Sequence, residues 1–191
     1  MKNIIVAVAV SSLFSAPAFA EPFQGAFAGV EVGMDNFEVS GEDIFVAGDE
    51  FDGLSGNGVQ GGVFVGYDMP MGDKLFFGIE ASANLSDASM TYDDGFDRLT
   101  ISAKESFGLS GRLGAMVNDS TGLYGRVGFV TTEFSASVDN VSESDRDDGM
   151  VLGAGIETRV GNGSIRAEYN RADYADELKN NQFSLGYAYR F

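Results

Sequence analysis

The sequence predicts an all-β chain: an eight-stranded antiparallel up-and-down β-barrel that crosses a membrane, preceded by a cleaved export signal. Three observations carry this. The first twenty residues have the three-part order of a secretory signal. The remainder alternates apolar and polar residues with a period of two. The connectors between the alternating segments are by turns long and short.

The signal comes first in the chain. Lys2 supplies the positive start, Ile4 to Phe14 is an apolar run broken only by Ser11 and Ser12, and Ala18-Phe19-Ala20 supplies small residues for cleavage. The run is too short to span a bilayer as a helix. Residues 1–20 are therefore expected to be removed, leaving residues 21–191 as one barrel domain that begins at Glu21. With Lys2 gone, 11 basic residues face 29 acidic ones, a formal charge of −18.

The strand pattern is clearest in the second segment, where Val59, Val63, Val65 and Tyr67 oppose Gln60, Gly62, Phe64 and Gly66. In the third, Phe77, Ile79, Ala81, Ala83 and Leu85 oppose Gly78, Glu80, Ser82, Asn84 and Ser86. The fourth sets Leu99, Ile101, Ala103, Phe107 and Leu109 against Ser102, Lys104, Ser106 and Ser110, and Glu105 interrupts its apolar face, which places it near the membrane edge. The sixth (from Leu152), seventh (from Ile165) and eighth (from Phe183) alternate as cleanly. The first (about 27–39) and fifth (about 123–138) are less regular, but too rich in Gly and β-branched residues for helices. Residues 40–56, 87–97 and 139–148 read as long loops, 175–181 as a shorter one, and 68–74, 118–122 and 161–163 as tight turns. Long loops on one side and short turns on the other are what a membrane barrel shows. The four loops on the long side hold 16 acidic residues against Arg146 and Lys179.

Composition excludes several functions. There is no Cys and no His, so disulfides, thiolate sites, imidazole metal sites and Ser-His catalysis are absent. The chain is therefore expected not to be an enzyme and to need no cofactor or metal. The charge excludes nucleic acid as a partner, since phosphates need a basic face. Gly56-Asn57-Gly58-Val59-Gln60-Gly61 fits a dinucleotide fingerprint by letter, but a strand follows it where a helix is required. Asp145, Asp147, Asp148 and Gly149 have the composition of a calcium loop, but Ile156 stands where the bidentate Glu belongs.

The chain ends Ser184-Leu185-Gly186-Tyr187-Ala188-Tyr189-Arg190-Phe191. Ser184, Gly186, Tyr189 and Phe191 match the C-terminal signal by which outer-membrane barrels are read by their assembly machinery. With the export signal and strand pattern, the mature chain resembles the small eight-stranded bacterial outer-membrane barrels of the OmpA/OmpX and opacity-protein type. The resemblance implies a cell outer membrane location, with outer-membrane lipid, lipopolysaccharide and the barrel assembly machinery as partners.

Ten charges share the polar, inward parity: Glu31, Glu80, Lys104, Arg112, Arg126, Glu157, Arg159, Arg166, Glu168 and Arg190. Inside a narrow barrel they must pair, because an unpaired buried charge costs several kcal/mol. Such a lumen is either a salt-bridged plug or a gated ion path, and eight strands leave room for little beyond side chains. The leading functional expectation is a structural or surface-interaction protein that works through acidic extracellular loops. The alternatives are a narrow channel for small solutes or ions, and a soluble exported barrel that binds a ligand. Apolar residues in two loops, Ile44, Phe45, Val46, Phe51 and Leu54 in one and Met90, Tyr92 and Phe96 in the other, either pack as strand extensions or form a contact surface.

Overall fold

The computed structural model describes residues 22–39, 55–93, 98–138, 141–174 and 178–191. The export signal and most of the first long loop lie outside the described residues. Nine strands follow in order: β1 (Gly25–Val39), β2 (Ser55–Met71), β3 (Leu75–Ser86), β4 (Ser89–Asp93), β5 (Arg98–Met116), β6 (Thr121–Val138), β7 (Val141–Val160), β8 (Gly163–Tyr174) and β9 (Leu178–Arg190). All pairings are antiparallel, and each strand lies beside its chain neighbour except β3 and β4, which do not pair with each other. The sheet closes where β1 pairs with both β2 and β9, from Phe27↔Arg190 to Val39↔Leu178. β3 and β4 both pair with β5 and are separated only by Asp87 and Ala88, so they form one wall and the barrel has eight. Closure leaves no unpaired edge, which the interior of a bilayer requires.

The turns on the short side are tight. Gly161 and Asn162 link the paired Val160 and Gly163, and Gly161 takes a positive φ of 60° that a residue with a Cβ adopts at a cost. At the β5–β6 turn, the Asn118 side-chain oxygen accepts from the backbone amides of Ser120 and Thr121 at 2.9 and 2.8 Å. This Asx arrangement substitutes for missing ladder bonds.

On the opposite side the strands run farther than expected. Residues 139–148 read as a loop because Ser, Glu and Asp disfavour strands. The ladder between β6 and β7 instead continues to Val138↔Val141. Partner residues such as Thr131, Thr132 and Phe134 favour strands, and continuous pairing outweighs the weak local propensity. Residues 89–93 and 178–181, also expected in loops, are strand for the same reason.

One expected parity fails. The β5–β6 register shifts between Ala103 and Ser106, a β-bulge. It turns Ala103 inward, where it is buried with Phe37 and Ala88, instead of leaving it on the lipid face with Phe107. Lys104, expected inside the lumen, is exposed.

Polarity is inverted relative to a water-soluble barrel. Phe129 and Leu152 are 69% and 68% exposed, as part of a band that includes Val32, Val65, Leu109 and Leu185. The buried set is rich in Arg, Glu, Asp, Ser and Asn. An apolar exterior this continuous is stable only against lipid, which removes the soluble alternative. Glycine serves the inside of the wall more than the turns. A Cβ on Gly62 would lie 1.6 Å from Asn84 Oδ1, one on Gly153 2.0 Å from Asn170 Oδ1, and one on Gly29 2.2 Å from the Phe64 ring. Inward glycines thus clear space for the large side chains that fill the lumen.

Candidate functional site: a charged lumen and an acidic outer end

Two layers of ion pairs cross the lumen. In the lower layer, Arg112 from β5 grips Asp68 with two bonds, Nε to Oδ1 at 2.9 Å and Nη2 to Oδ2 at 2.5 Å, and gives Nη1 to Glu157 at 2.8 Å. Arg190 from β9 spans the same two carboxylates at 2.8 and 2.6 Å, which closes a four-membered ring of alternating charge. Ser164 Oγ donates to Glu157. In the layer above, Arg166 bonds Glu80 at 2.5 Å and Glu31 at 2.9 Å. Arg126 bonds Glu168 at 2.7 Å and lies 3.3 Å from Glu80. The Tyr124 hydroxyl donates to Glu168. The Arg166 guanidinium stacks 3.4 Å from the centre of the Phe64 ring. These pairs join β1, β2, β3, β5, β6, β7, β8 and β9, so each bond ties walls distant in sequence.

The structure thus brings together eight of the ten charges expected inside. Lys104 is exposed, turned by the bulge. Arg159 sits at the rim on the short-turn side, where it donates to the backbone carbonyls of Asp119 at 3.1 Å and Pro22 at 2.8 Å. Among the interior members that the sequence pattern does not mark are Asp68, Asp35 and Phe23. Asp68 was assigned to a turn, yet its even number continues the inward series Gln60, Gly62, Phe64 and Gly66. Asp35 belongs to the irregular first segment. Phe23 precedes the first strand and has no periodic signal. Phe23 is fully buried under the barrel, edge-on to Phe76 at 5.2 Å, with the Arg159 and Arg190 guanidiniums 4.7 and 4.4 Å from its ring centre. It closes the lower mouth.

Above the ion pairs lies a polar cavity of about 60 Å³, lined in part by Asp35, Gln60, Asn84, Ser86, Asn180 and Gln182. Asp35 is buried and accepts from Ser86 Oγ at 2.6 Å, Gln182 Nε2 at 3.1 Å and Asn180 Nδ2 at 3.3 Å. An edge-to-face ladder of Phe37, Phe134 and Tyr174, with centroids 5.7 and 5.6 Å apart, crosses the lumen at its outer end.

The exterior changes character where the apolar band ends. Arg146 on β7 bridges Glu105 at 2.6 Å and Glu133 at 3.3 Å, above Phe107. This puts Glu105 at the outer edge of the lipid-facing surface. Asp145, Asp147 and Asp148 on the same strand are exposed. At the other end, the Tyr189 and Phe191 rings meet edge-on at 5.2 Å on the outside, and the Phe191 amide donates to Ala26 O at 3.0 Å. Ser184 is buried in the lumen and Gly186 faces Arg166.

A model of the outer membrane protein beta-barrel domain matches residues 6–191. The chain belongs to this family. Among solved structures it is similar to Neisserial surface protein A (15% identity, 88% of this chain and 100% of that one, TM-score 0.55). It is also similar to Ail, the attachment invasion locus protein of Yersinia pestis (18% identity, 87% and 99%, TM-score 0.52). A third likeness is to the outer membrane protein OprG from Pseudomonas aeruginosa (14% identity, 90% and 99%, TM-score 0.50). These likenesses show a shared fold. Ail has also been solved in complex with the heparin analogue sucrose octasulfate. Among curated protein sequences nothing matches the chain.

Proposed function

We propose that this outer-membrane barrel is a surface-interaction protein whose acidic outer end engages a basic or cation-bridged partner. The observation that carries this is the β6–β7 ladder. It holds Asp145, Asp147 and Asp148 exposed on paired strands, beyond the end of the apolar band. Charges fixed on a rigid scaffold lose little freedom on binding. The loops beyond the strands add Asp and Glu of the same sign. A polyanion such as the ligand bound by Ail would be repelled here, so the partner is expected to carry positive charge or to be bridged by divalent ions: a basic host protein, or another cell or lipopolysaccharide joined through such ions.

The ion-pair layers favour this reading over a channel. Their members are almost wholly buried, and passage of an ion would require breaking pairs that hold the wall together. Binding of purified barrel to a cationic surface, measured as salt rises, tests the proposal. Affinity should fall as ionic strength screens exposed charge, and deletion of residues 42–54 or combined Asp145→Asn, Asp147→Asn and Asp148→Asn should weaken it while the barrel stays folded. Unchanged binding in both variants would leave only a structural role. A steady bilayer conductance altered by changes at Arg112 or Arg166 would favour the channel.

The C-terminal residues belong to a second proposal, about assembly. Tyr189 and Phe191 present their rings on the lipid-facing side of the last strand, 45% and 79% exposed. They contribute no lumen packing and remain available to the assembly machinery.

A further inference from the structure

The lumen is not electrically balanced. Among the described residues, six buried carboxylates face inward (Glu31, Asp35, Asp68, Glu80, Glu157 and Glu168) and four guanidiniums answer them (Arg112, Arg126, Arg166 and Arg190). Five of the carboxylates share the four guanidiniums. Asp35 has none: its described partners are a hydroxyl and two amide groups. A carboxylate held by neutral donors alone in a buried site lacks the counter-charge that burial demands.

The cavity beside Asp35 is short of hydrogen-bond partners in one particular sense. Gln60 is 1% exposed, and neither atom of its amide has a partner. Asn84, Asn170 and Asn180 each leave a buried amide oxygen unmatched as well. The unmatched amide atoms of the lumen are therefore four oxygens and one nitrogen, beside unmatched Nε atoms on Arg126, Arg166 and Arg190, of which only Arg126 lines this cavity. Buried polar groups are normally satisfied, and oxygens beside an uncompensated carboxylate are satisfied best by a positive centre. A cavity of about 60 Å³ holds one ion with a few waters, since a water needs roughly 10–15 Å³ on this measure.

We infer that the upper lumen binds a hard cation, alkali or alkaline-earth, through the Asp35 carboxylate and the amide oxygens of Gln60 and Asn84. Oxygen donors of carboxylate, amide and water type are the set such ions take. The ion supplies the positive charge the lumen lacks and fixes the amide side chains between the ion-pair layers and the aromatic ladder. The site lies inside the closed barrel, so it is occupied as the barrel folds and exchanges slowly.

The test uses the mature protein, unfolded in chelator and refolded into detergent in choline chloride, then with NaCl, KCl, MgCl₂ or CaCl₂ in separate samples. Binding of one of these ions at one per barrel, with a raised unfolding temperature, is expected. Asp35→Asn should weaken that binding at least tenfold, and Asp73→Asn, exposed in the short turn between β2 and β3, should leave it unchanged. If no ion shifts the parent protein, or if Asp35→Asn responds as the parent does, the cavity holds water only and the inference fails. Lys104 at the cavity's exposed edge is the rival counter-charge. If Lys104→Ala creates a cation dependence that the parent lacks, Lys104 is the partner of Asp35 and the inference fails. Should Asp35→Asn not fold, crystals grown from the parent protein refolded in RbCl or SrCl₂ decide the matter. An anomalous peak beside Asp35 supports the site, and its absence overturns it.

Discussion

At the scale of single residues, the lumen depends on charges that have no way back to water. Arg166 is the clearest case: it is 2% exposed and serves Glu31, Glu80 and Glu168 at once. Arg166→Met removes the cation and leaves those carboxylates under-compensated. A loss of about 3–5 kcal/mol is expected, as for one partner of a buried pair. Urea unfolding of the refolded barrel, followed by tryptophan-free fluorescence of its tyrosines, measures it. A loss below about 1 kcal/mol would mean that water reaches the pair. Inward glycines are as constrained. Gly155→Val would drive a side chain into Tyr124, whose ring lies 2.5 Å from the position of a Cβ, and should lower the yield of folded barrel. Val at Gly111, where the nearest atom is 3.6 Å away on the lipid face, should be tolerated.

At the scale of elements, β9 and the β6–β7 pair hold different functions. β9 closes the barrel against β1 and ends in Tyr189 and Phe191, both directed at lipid. If these rings are read during assembly, Phe191→Ser should reduce the amount of barrel in the outer membrane several-fold, far more than a change at Asp148. The protein that does assemble should be as stable as the parent, because Phe191 packs against little besides Tyr189. Equal yields from the two variants would reject the assembly role. The β6–β7 pair is long because its register stays unbroken from Thr121↔Thr158 to Val138↔Val141. Each added pair satisfies backbone groups, so acidic side chains of poor strand propensity are carried outward on a firm ladder.

At the scale of the whole molecule, closure governs behaviour. A barrel without edges unfolds cooperatively, so unboiled protein should migrate differently from boiled protein on a denaturing gel. A single mobility would contradict a closed barrel. Export is tested on the same material: mass spectrometry of the envelope form should show a chain beginning at Glu21. That terminus leaves Pro22 and Phe23 to seat beneath the lumen. Retention of residues 1–20 would reject the processing.

The sequence by itself determined the eight walls, their alternation, the sidedness of charge and the choice of most inward residues. All of these follow from a period of two that a lipid exterior imposes on every strand. It placed Arg112, Arg126, Arg166, Arg190 and four of their carboxylates on one face, because parity alone decides the face. It could not place Lys104, since the break that Glu105 makes in the alternation fits a membrane edge as well as a bulge, and only the β5–β6 register shift between Ala103 and Ser106 tells them apart. It could not join Asp68 to Arg112, because it ended β2 too early. It also could not foresee Phe23 under the barrel, because that position depends on rings from β3 and β6 meeting a segment with no pattern of its own. Which charge meets which, and which carboxylate goes without, was decided only by the stagger of the closed sheet. That stagger brings residues more than a hundred positions apart, such as Glu31 and Arg166, to within a hydrogen bond.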